Sequence, residues 1–114
     1  MKGTLSLTLD RKPQGQAVHR VEGSVDGATF KQFESAFEGL KDVLYVVVDM
    51  ARLAYMSSSG FSLLIKAKSD RANGKGDVVL VRPQTPILNI LKILNLQDLF
   101  RVASSVDEAL HVRD

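Results

Sequence analysis

The alternation of apolar and polar residues at the start of the chain predicts a β-hairpin. A turn containing proline and glycine at residues 11–15 separates residues 4–9 from residues 17–22, and both flanking segments are predicted to be strands. The glycine-rich residues 23–27 are expected to break the second strand. The first strand is half-buried, and its apolar face consists of Leu5, Leu7 and Leu9.

Apolar residues next recur at helical spacing, and a buried strand follows them. Thr29 and Gln32 are placed like a capping box at the start of this predicted helix. Residues 43–48 lack alternation, as expected for a strand covered on both faces, and Asp49 ends this run. The apolar face of the helix consists of Phe30, Phe33, Phe37 and Leu40.

A serine-rich turn connects this strand to a second helix. After a short irregular segment, the chain from Tyr55 reads Tyr-Met-Ser-Ser-Ser-Gly-Phe, and helical spacing predicts a helix over residues 58–72. Asn73 and Gly74 are typical of the end of such a helix. The serine hydroxyl groups are therefore predicted at a helix start, where backbone N–H groups point outward and the helix dipole is positive.

The rest of the chain continues the alternation of strands and helices. Residues 78–81 predict a short buried strand, Pro86 begins a helix, and residues 99–103 predict a last strand. A second capping box, Ser105 with Glu108, opens a terminal helix. The apolar stripe of the helix that begins at Pro86 consists of Ile87, Ile90, Leu91 and Leu94.

The predicted order of elements is ββαβαβαβα. Helices that cross over between strands favour parallel pairing, so we expect an α/β fold with a mixed, mainly parallel sheet, an N-terminal hairpin and about four helices. A length of 114 residues predicts one domain, residues 1–114.

Composition excludes several classes of protein. No apolar run approaches the ~20 residues that a membrane span needs, and the N-terminus has no signal-peptide core. The absence of cysteine excludes disulfides, thiolate zinc sites and a cysteine nucleophile. We therefore expect a cytoplasmic protein without membrane insertion.

The net charge of +2 is unevenly distributed, since basic residues outnumber acidic ones between Arg52 and Arg101. This excess fits either a solvated helix face or a face for an acidic partner. Nucleic acid is not predicted as a partner, because the chain has no tryptophan, two tyrosines and no basic cluster interleaved with aromatic residues.

The residues do not favour catalysis or a cofactor. A serine nucleophile needs a base, but His19 lies inside the second strand and His111 near the C-terminus, both expected at the surface or half-buried. The Gly-x-Ser-x-Gly elbow and a glycine-rich phosphate loop after a strand are absent. The aspartates are too dispersed to collect a metal ion: Asp26, Asp49, Asp70 and Asp77.

The serine turn is therefore interpreted as a site that is acted upon. Ser57 or Ser58 could cap the helix, a role worth about 1 kcal/mol, yet three serines exceed what capping needs. A phosphate on such a serine would be stabilised by the N–H groups and the dipole, and would change the surface charge abruptly.

The segment from residue 46 to residue 64 resembles the STAS-domain anti-sigma factor antagonists of bacteria. The shared pattern is a hydrophobic strand ending in Asp49, an irregular stretch, an aromatic residue and Met56, and then the serines and Gly60. The later segments 74–81, 86–94 and 96–100 are similar as well, so the likeness covers nearly the whole chain.

The resemblance implies a partner-switching cycle. Ser58 aligns with the serine that an anti-sigma factor kinase phosphorylates. The unphosphorylated protein would bind that serine/threonine kinase and free a sigma factor, phosphorylation would break the complex, and a serine phosphatase would restore it. The implied partner-binding residues are Asp26, Met56, Ser57, Ser59, Gly60 and Phe61.

Two positions depart from the family pattern. Ser57 replaces an aspartate, and Ser24 replaces the glutamate of a Gly-Glu-Leu-Asp run whose Asp26 remains. The loss of two carboxylates could soften repulsion of an incoming nucleotide phosphate or could delete contacts to the kinase. Both readings stay open at the level of sequence.

Two other functions remain as alternatives. A constitutive STAS scaffold in a stress complex, or beside a lipid ABC transporter, would keep the fold without phosphorylation. A small enzyme would use Ser58 or Ser59 as nucleophile. For the leading hypothesis, we expect a monomer or a weak homodimer.

Overall fold

The computed structural model describes residues 4–111 of the 114-residue chain. Its strands and helices, in chain order, are β1 (Leu5–Lys12), β2 (Gln16–Val25), α1 (Phe30–Glu38), β3 (Tyr45–Asp49), β4 (Leu53–Met56), α2 (Ser58–Ala72), β5 (Asp77–Val81), α3 (Thr85–Ile93), β6 (Val102–Ala103) and α4 (Val106–His111).

The strands form one mixed sheet in the order β1-β2-β3-β5-β6, with β4 beside the second half of β2. β1 and β2 pair antiparallel as a hairpin, and every other pair is parallel. The predicted fold class is thereby confirmed: an α/β domain with a mainly parallel sheet, an N-terminal hairpin and four helices.

The segment between β3 and the serine turn is not irregular, as the sequence suggested, but contains β4. This strand extends β2 beyond the point where β3 ends, with Ser24 paired to Tyr55 and Val25 to Met56. The observed order is therefore ββαββαβαβα. β4 has four residues, which is too few for the pattern of apolar and polar residues in the sequence to indicate a strand.

β2 continues through the break that was predicted at residues 23–27. Gly23 has a φ of +102°, and the pairing register shifts between Gly23 and Ser24 as in a β-bulge. A Cβ atom at this position would lie 2.2 Å from the carbonyl oxygen of Thr4, so glycine is required here. The bulge allows β2 to change partner from β3 to β4.

Other predicted boundaries also shift. α1 ends at Glu38, and Leu40 is buried in the turn behind it rather than on the helix. Leu94 is 46% exposed because α3 ends at Ile93. The last strand is limited to Val102–Ala103.

The turn that ends α2 at its C-terminus contains a different left-handed residue from the one predicted. The helix ends at Ala72, but the left-handed residue that follows is Lys75, with a φ of +63°, rather than Gly74. The N–H group of Gly76 donates to the carbonyl oxygen of Arg71 at 2.8 Å. Gly76 is needed for space, since a Cβ there would lie 2.1 Å from the carbonyl oxygen of Leu44.

The sheet separates two hydrophobic clusters of unequal size. The larger one lies between the sheet and α1, α2 and α3, and includes Phe33, Phe61 and Ile87. The smaller one lies under α4 and includes Val47 and Ala109. In the described residues, no helix is both long and apolar enough to cross a bilayer.

His19 lies in the larger core, contrary to the prediction of a surface or half-buried side chain. It is 1% exposed and packs against Phe33 and Phe37 of α1, at ring-centroid distances of 6.0 and 5.2 Å. Neither ring nitrogen has a hydrogen-bond partner. Burial lowers the pKa of His19 to about 4.

Candidate functional site

The serine turn lies at the carboxyl end of β4, where the chain leaves the sheet to begin α2. The N–H group of Ser57 donates to the carbonyl oxygen of Val25 at 2.8 Å, which ties the turn to the end of β2. The turn is therefore held by two parallel strands. The carboxyl ends of parallel strands are the usual place for binding sites in α/β folds.

Ser57 is the residue that caps α2. Its backbone is extended, with a φ of −72° and a ψ of 166°, and its Oγ accepts a hydrogen bond from the N–H group of Gly60 at 3.4 Å. The sequence left open whether Ser57 or Ser58 caps the helix, and in the structure Ser57 is the capping residue. An aspartate at the same position could accept the same bond.

Ser58 and Ser59 are exposed in the first turn of α2. Their side chains form no hydrogen bond within the part of the chain that the structure describes. Both border an open depression of about 360 Å³ between α1 and α2. The depression is also lined by Phe30, Glu34, Ser62, Leu63 and Lys66.

Asp26 organises the loop beside the serine turn. Its carboxylate accepts hydrogen bonds from the N–H groups of Ala28 and Thr29, at 3.0 and 3.2 Å. Thr29 does not form the predicted capping box, because its hydroxyl donates to the carbonyl oxygen of Ser24 at 2.7 Å while Gln32 donates to that of Leu5. Asp26 therefore stabilises the approach to α1 instead of projecting freely.

Three predicted partner-binding residues lie beneath the surface. Met56 and Phe61 are each 1% exposed, and Gly60 is buried between them. A partner that docks on the intact fold cannot touch these side chains. They support the serine turn from below.

Gly60→Ala should lower the free energy of unfolding by about 1–2 kcal/mol. A Cβ atom at this position would lie 2.5 Å from Cγ of Met56 and 3.1 Å from Cγ1 of Val25, so the buried Met56 side chain must move. The better helix propensity of alanine offsets only part of this cost, about 1 kcal/mol.

Urea denaturation measures the effect of Gly60→Ala, with Gly27→Ala as the matched control. Gly27 has open space around its Cα atom, so its substitution should change stability by less than about 0.5 kcal/mol. Equal stability of the two variants would show that the contact between Met56 and Gly60 does not constrain the turn.

Charged residues on both helices border the depression. Lys66 and Asp70 form an ion pair at 2.8 Å on α2, which raises the pKa of Lys66 and lowers the pKa of Asp70. Glu38, which is outside the lining of the depression, pairs with Lys41 beyond the end of α1 at 2.9 Å. Glu34 has no such bond within residues 4–111, so its carboxylate is available to a partner.

The arrangement offers no base to the serines. His19 is enclosed under α1 among phenylalanine rings, and His111 is on α4, which packs on the opposite face of the sheet. Among the described residues, no group of three or more histidines, aspartates and glutamates gathers as a metal site would require. The geometry supports an acceptor and contact surface rather than a reaction centre.

Three surface residues beside the turn were not recognised from the sequence. Tyr55 is 49% exposed on β4, although it adjoins the buried Met56 in the chain. Glu34 and Lys66 reach the depression from the facing sides of α1 and α2. The exposure of Tyr55 is a property of β4, in which Leu53 and Met56 are buried and the two residues between them are exposed.

Comparisons with known proteins agree with this architecture. The model of the STAS domain matches residues 9–109. The anti-sigma factor antagonist candidate BtrV of Bordetella bronchiseptica is 28% identical over 107 residues, which cover 92% of this chain and 91% of BtrV.

Two solved structures have a similar fold. An anti-sigma factor antagonist from Mycobacterium paratuberculosis superimposes with a TM-score of 0.84 at 20% identity, covering 97% of this chain and 96% of its own. SpoIIAA in its unphosphorylated form gives a TM-score of 0.80 at 19% identity, covering 92% of this chain and 93% of its own. At such identities these two structures establish the fold alone.

Proposed function

The chain belongs to the STAS domain family, as its resemblance predicted, and from this membership we propose that it is an anti-sigma factor antagonist controlled by phosphorylation of Ser58. In its unphosphorylated form it binds an anti-sigma factor with serine/threonine kinase activity and releases the sigma factor. Phosphorylation by that kinase ends the complex, and a serine phosphatase reverses it. BtrV of Bordetella bronchiseptica, the relative described above, is likewise named as an anti-sigma factor antagonist.

The observation that carries this proposal is the division of roles between adjacent serines. Ser57 holds the helix start through Gly60, which leaves the hydroxyl of Ser58 exposed and unbonded. A kinase can therefore reach Ser58 without unfolding the turn. Modification of Ser58 also removes no hydrogen bond from the fold.

A phosphate at this position would alter binding more than structure. It would add about 1.5–2 negative charges and three acceptor oxygens beside the first N–H groups of α2, which have no intrahelical partner. The positive end of the helix dipole favours that charge. A partner surface that is complementary to a neutral hydroxyl would be repelled by the charge of the phosphate and would clash with its volume. Because this happens at the centre of the contact, binding would weaken.

The docking surface consists of the turn and the two helices beside the depression. Tyr55 offers an exposed aromatic ring at its edge, a residue type that often dominates binding energy. Phe30 and Leu63 supply a partly apolar floor, and Glu34 supplies a carboxylate for a basic residue of the kinase.

The two departures from the family pattern leave this surface intact. Ser57 keeps the capping bond that an aspartate would make. The carbonyl oxygen of Ser24 holds Thr29, so this backbone contact does not depend on the Ser24 side chain. We propose that the lower negative charge near Ser58 leaves the site competent for phosphorylation.

Incubation with the cognate kinase and ATP, followed by tandem mass spectrometry, tests this proposal. Phosphate is expected on Ser58, absent in Ser58→Ala, and unchanged in yield in the matched variant Ser59→Ala. The kinase is sought first among the products of neighbouring genes. Phosphate confined to Ser59, or none on the turn, would refute phosphorylation at Ser58.

The protein acts by binding, in keeping with the antagonists that it resembles, which are regulators and not enzymes. We place it in the cytoplasm, where a sigma factor works, as a monomer or weak homodimer. Co-purification with an ABC ATPase in place of a kinase would instead support the scaffold alternative.

A further inference from the structure

An exposed apolar patch lies far from the serine turn. Of the six exposed large hydrophobic residues in the described chain, four fall between residues 93 and 102. We name them the distal patch: Ile93, Leu94, Leu99 and Val102, which are 77%, 46%, 40% and 43% exposed. Scattered apolar residues are ordinary at a surface, but a cluster of this kind marks a contact site.

The chain that carries these residues turns tightly between α3 and β6. After α3 the N–H group of Leu96 bonds to the carbonyl oxygen of Leu91 at 2.7 Å, and that of Leu99 bonds to Leu96 at 3.0 Å. Val102 pairs with Leu80, whose side chain belongs to the core on the helix side of the sheet. Val102 therefore faces the same side of the sheet as α2 and α3.

A cavity of about 360 Å³ adjoins the distal patch. Leu99 forms one wall of it, and the C-terminal half of α2 forms another. Because a helix rises 1.5 Å per residue, Ser58 and Ala72 lie about 21 Å apart. The cavity thus runs along the second half of α2, and its lining consists of Ile65, Lys68, Ser69, Ala72, Gly76 and Leu99.

The charges around this region are mainly positive. Lys75 and Lys92 are exposed, and they directly adjoin Gly76 of the cavity and Ile93 of the distal patch in the chain. Lys68 is already paired with Asp77, and Asp98 is the nearby exposed acid. An apolar surface with such a border attracts an acidic partner and repels a copy of itself.

We propose that the distal patch binds an acidic, amphipathic helix of a second protein, with one aliphatic side chain of that helix in the cavity beside Leu99. A helix suits a hollow that runs along α2, since helices place apolar side chains on one face at intervals of three and four residues. An anionic membrane fits less well, because the cavity is concave and membrane-binding clusters usually have four to eight basic residues.

This surface would let one chain hold two partners at once. Ser58 would control the first contact. The second runs along residues 65–72 of α2, about 10 to 21 Å from Ser58 along the helix axis, so the charge of a phosphate would be largely screened there, since the Debye length at physiological salt is about 8 Å. The inference is independent of the proposed function, since it does not require Ser58 to be modified.

NMR titration of the full ¹⁵N-labelled chain tests the inference. The probe is an acetylated 15-residue peptide with leucines at helical spacing and glutamates elsewhere, and the reference is the same peptide with lysines in place of glutamates. We expect shifts at Ile65, Ala72 and Leu99 with the acidic peptide, and at least tenfold weaker binding to the double variant Lys92→Glu, Leu99→Ser.

Leu9→Ser is the matched control, because Leu9 is also exposed, at 44%, but lies on β1. Its affinity for the acidic peptide should equal that of the parent. Any of four results overturns the proposal: no shift, equal binding of the basic peptide, binding to phosphatidylglycerol vesicles through the same residues, or concentration-dependent dimers whose interface is the distal patch.

Discussion

Replacing Arg71 with methionine should lower the free energy of unfolding by about 2 kcal/mol and the melting temperature by about 7 °C. Arg71 is 7% exposed, and its guanidinium group donates three hydrogen bonds to backbone carbonyl oxygens. Two of these acceptors belong to the segment between α1 and β3, and the third belongs to α2. The bonds join Nε to Val43 at 2.8 Å, Nη2 to Leu40 at 2.7 Å and Nη1 to Ala67 at 2.8 Å.

The size of this effect follows from what the substitution leaves behind. Methionine keeps an apolar stem but no donor, so the carbonyl oxygen of Val43 loses its hydrogen-bond partner in a buried turn, at a cost of about 1–3 kcal/mol. Leu40 keeps a bond from the N–H group of Val43. Recovery of the desolvation cost of the buried guanidinium, which lowers the pKa of Arg71, offsets part of the loss.

Arg52→Met is the matched control for this prediction. Arg52 is exposed, and its pairing with Glu22 at 3.6 Å is a surface ion pair, worth at most about 1 kcal/mol. Urea denaturation of both variants gives the comparison. If Arg71→Met unfolded at the same urea concentration as Arg52→Met, the guanidinium would not be what joins the α1–β3 segment to α2.

The second large effect concerns His19 and acid. The stability of the parent should fall by about 2 kcal/mol between pH 7 and pH 5 because of this one side chain, and His19→Leu should remove that dependence. His19 has no hydrogen-bond partner for either ring nitrogen, so the imidazolium has nothing to stabilise it within the core.

The direction follows from the two pKa values. The pKa of His19 is about 4 in the folded chain and about 6.5 when the chain is unfolded. Between these values the unfolded chain binds more protons, so lowering the pH favours unfolding. The stability that the folded chain keeps while His19 is neutral is fully present above pH 6.5 and is lost as the pH falls toward 4.

Urea midpoints measured at pH 7, 6 and 5 test this prediction. His111→Gln is the control, since it replaces an exposed histidine on α4 and leaves the buried His19 in place. A parent and a His19→Leu variant with parallel pH profiles would mean that His19 finds a partner or water in solution. At pH 7, His19→Leu should be at least as stable as the parent.

The sequence predicted the elements that have a strong pattern of their own. The helix over residues 58–72 agrees with the structure at both ends, because the serines mark its start and Asn73 and Gly74 follow its last residue. β4 was missed because its strand character depends on pairing with β2 past a bulge at Gly23. Pairing of that kind is a tertiary property.

Only the local part of the site could be predicted from the sequence. The serine turn is local in sequence, so its position at a helix start could be inferred from the residues. The depression needs α1 and α2 side by side, and the exposure of Tyr55 needs β4, so neither could be inferred without the fold. The burial of His19 likewise depends on Phe33 and Phe37 closing over β2.

Isothermal titration of the cognate anti-sigma factor kinase with this chain, before and after phosphorylation of Ser58, tests the central claim most directly. We expect the unphosphorylated chain to bind and the phosphorylated chain to bind at least thirtyfold more weakly, with phosphatase treatment restoring the first value. Ser58→Asp should reproduce the loss and Ser59→Asp only a small part of it. Equal affinity of the two forms would contradict control at Ser58.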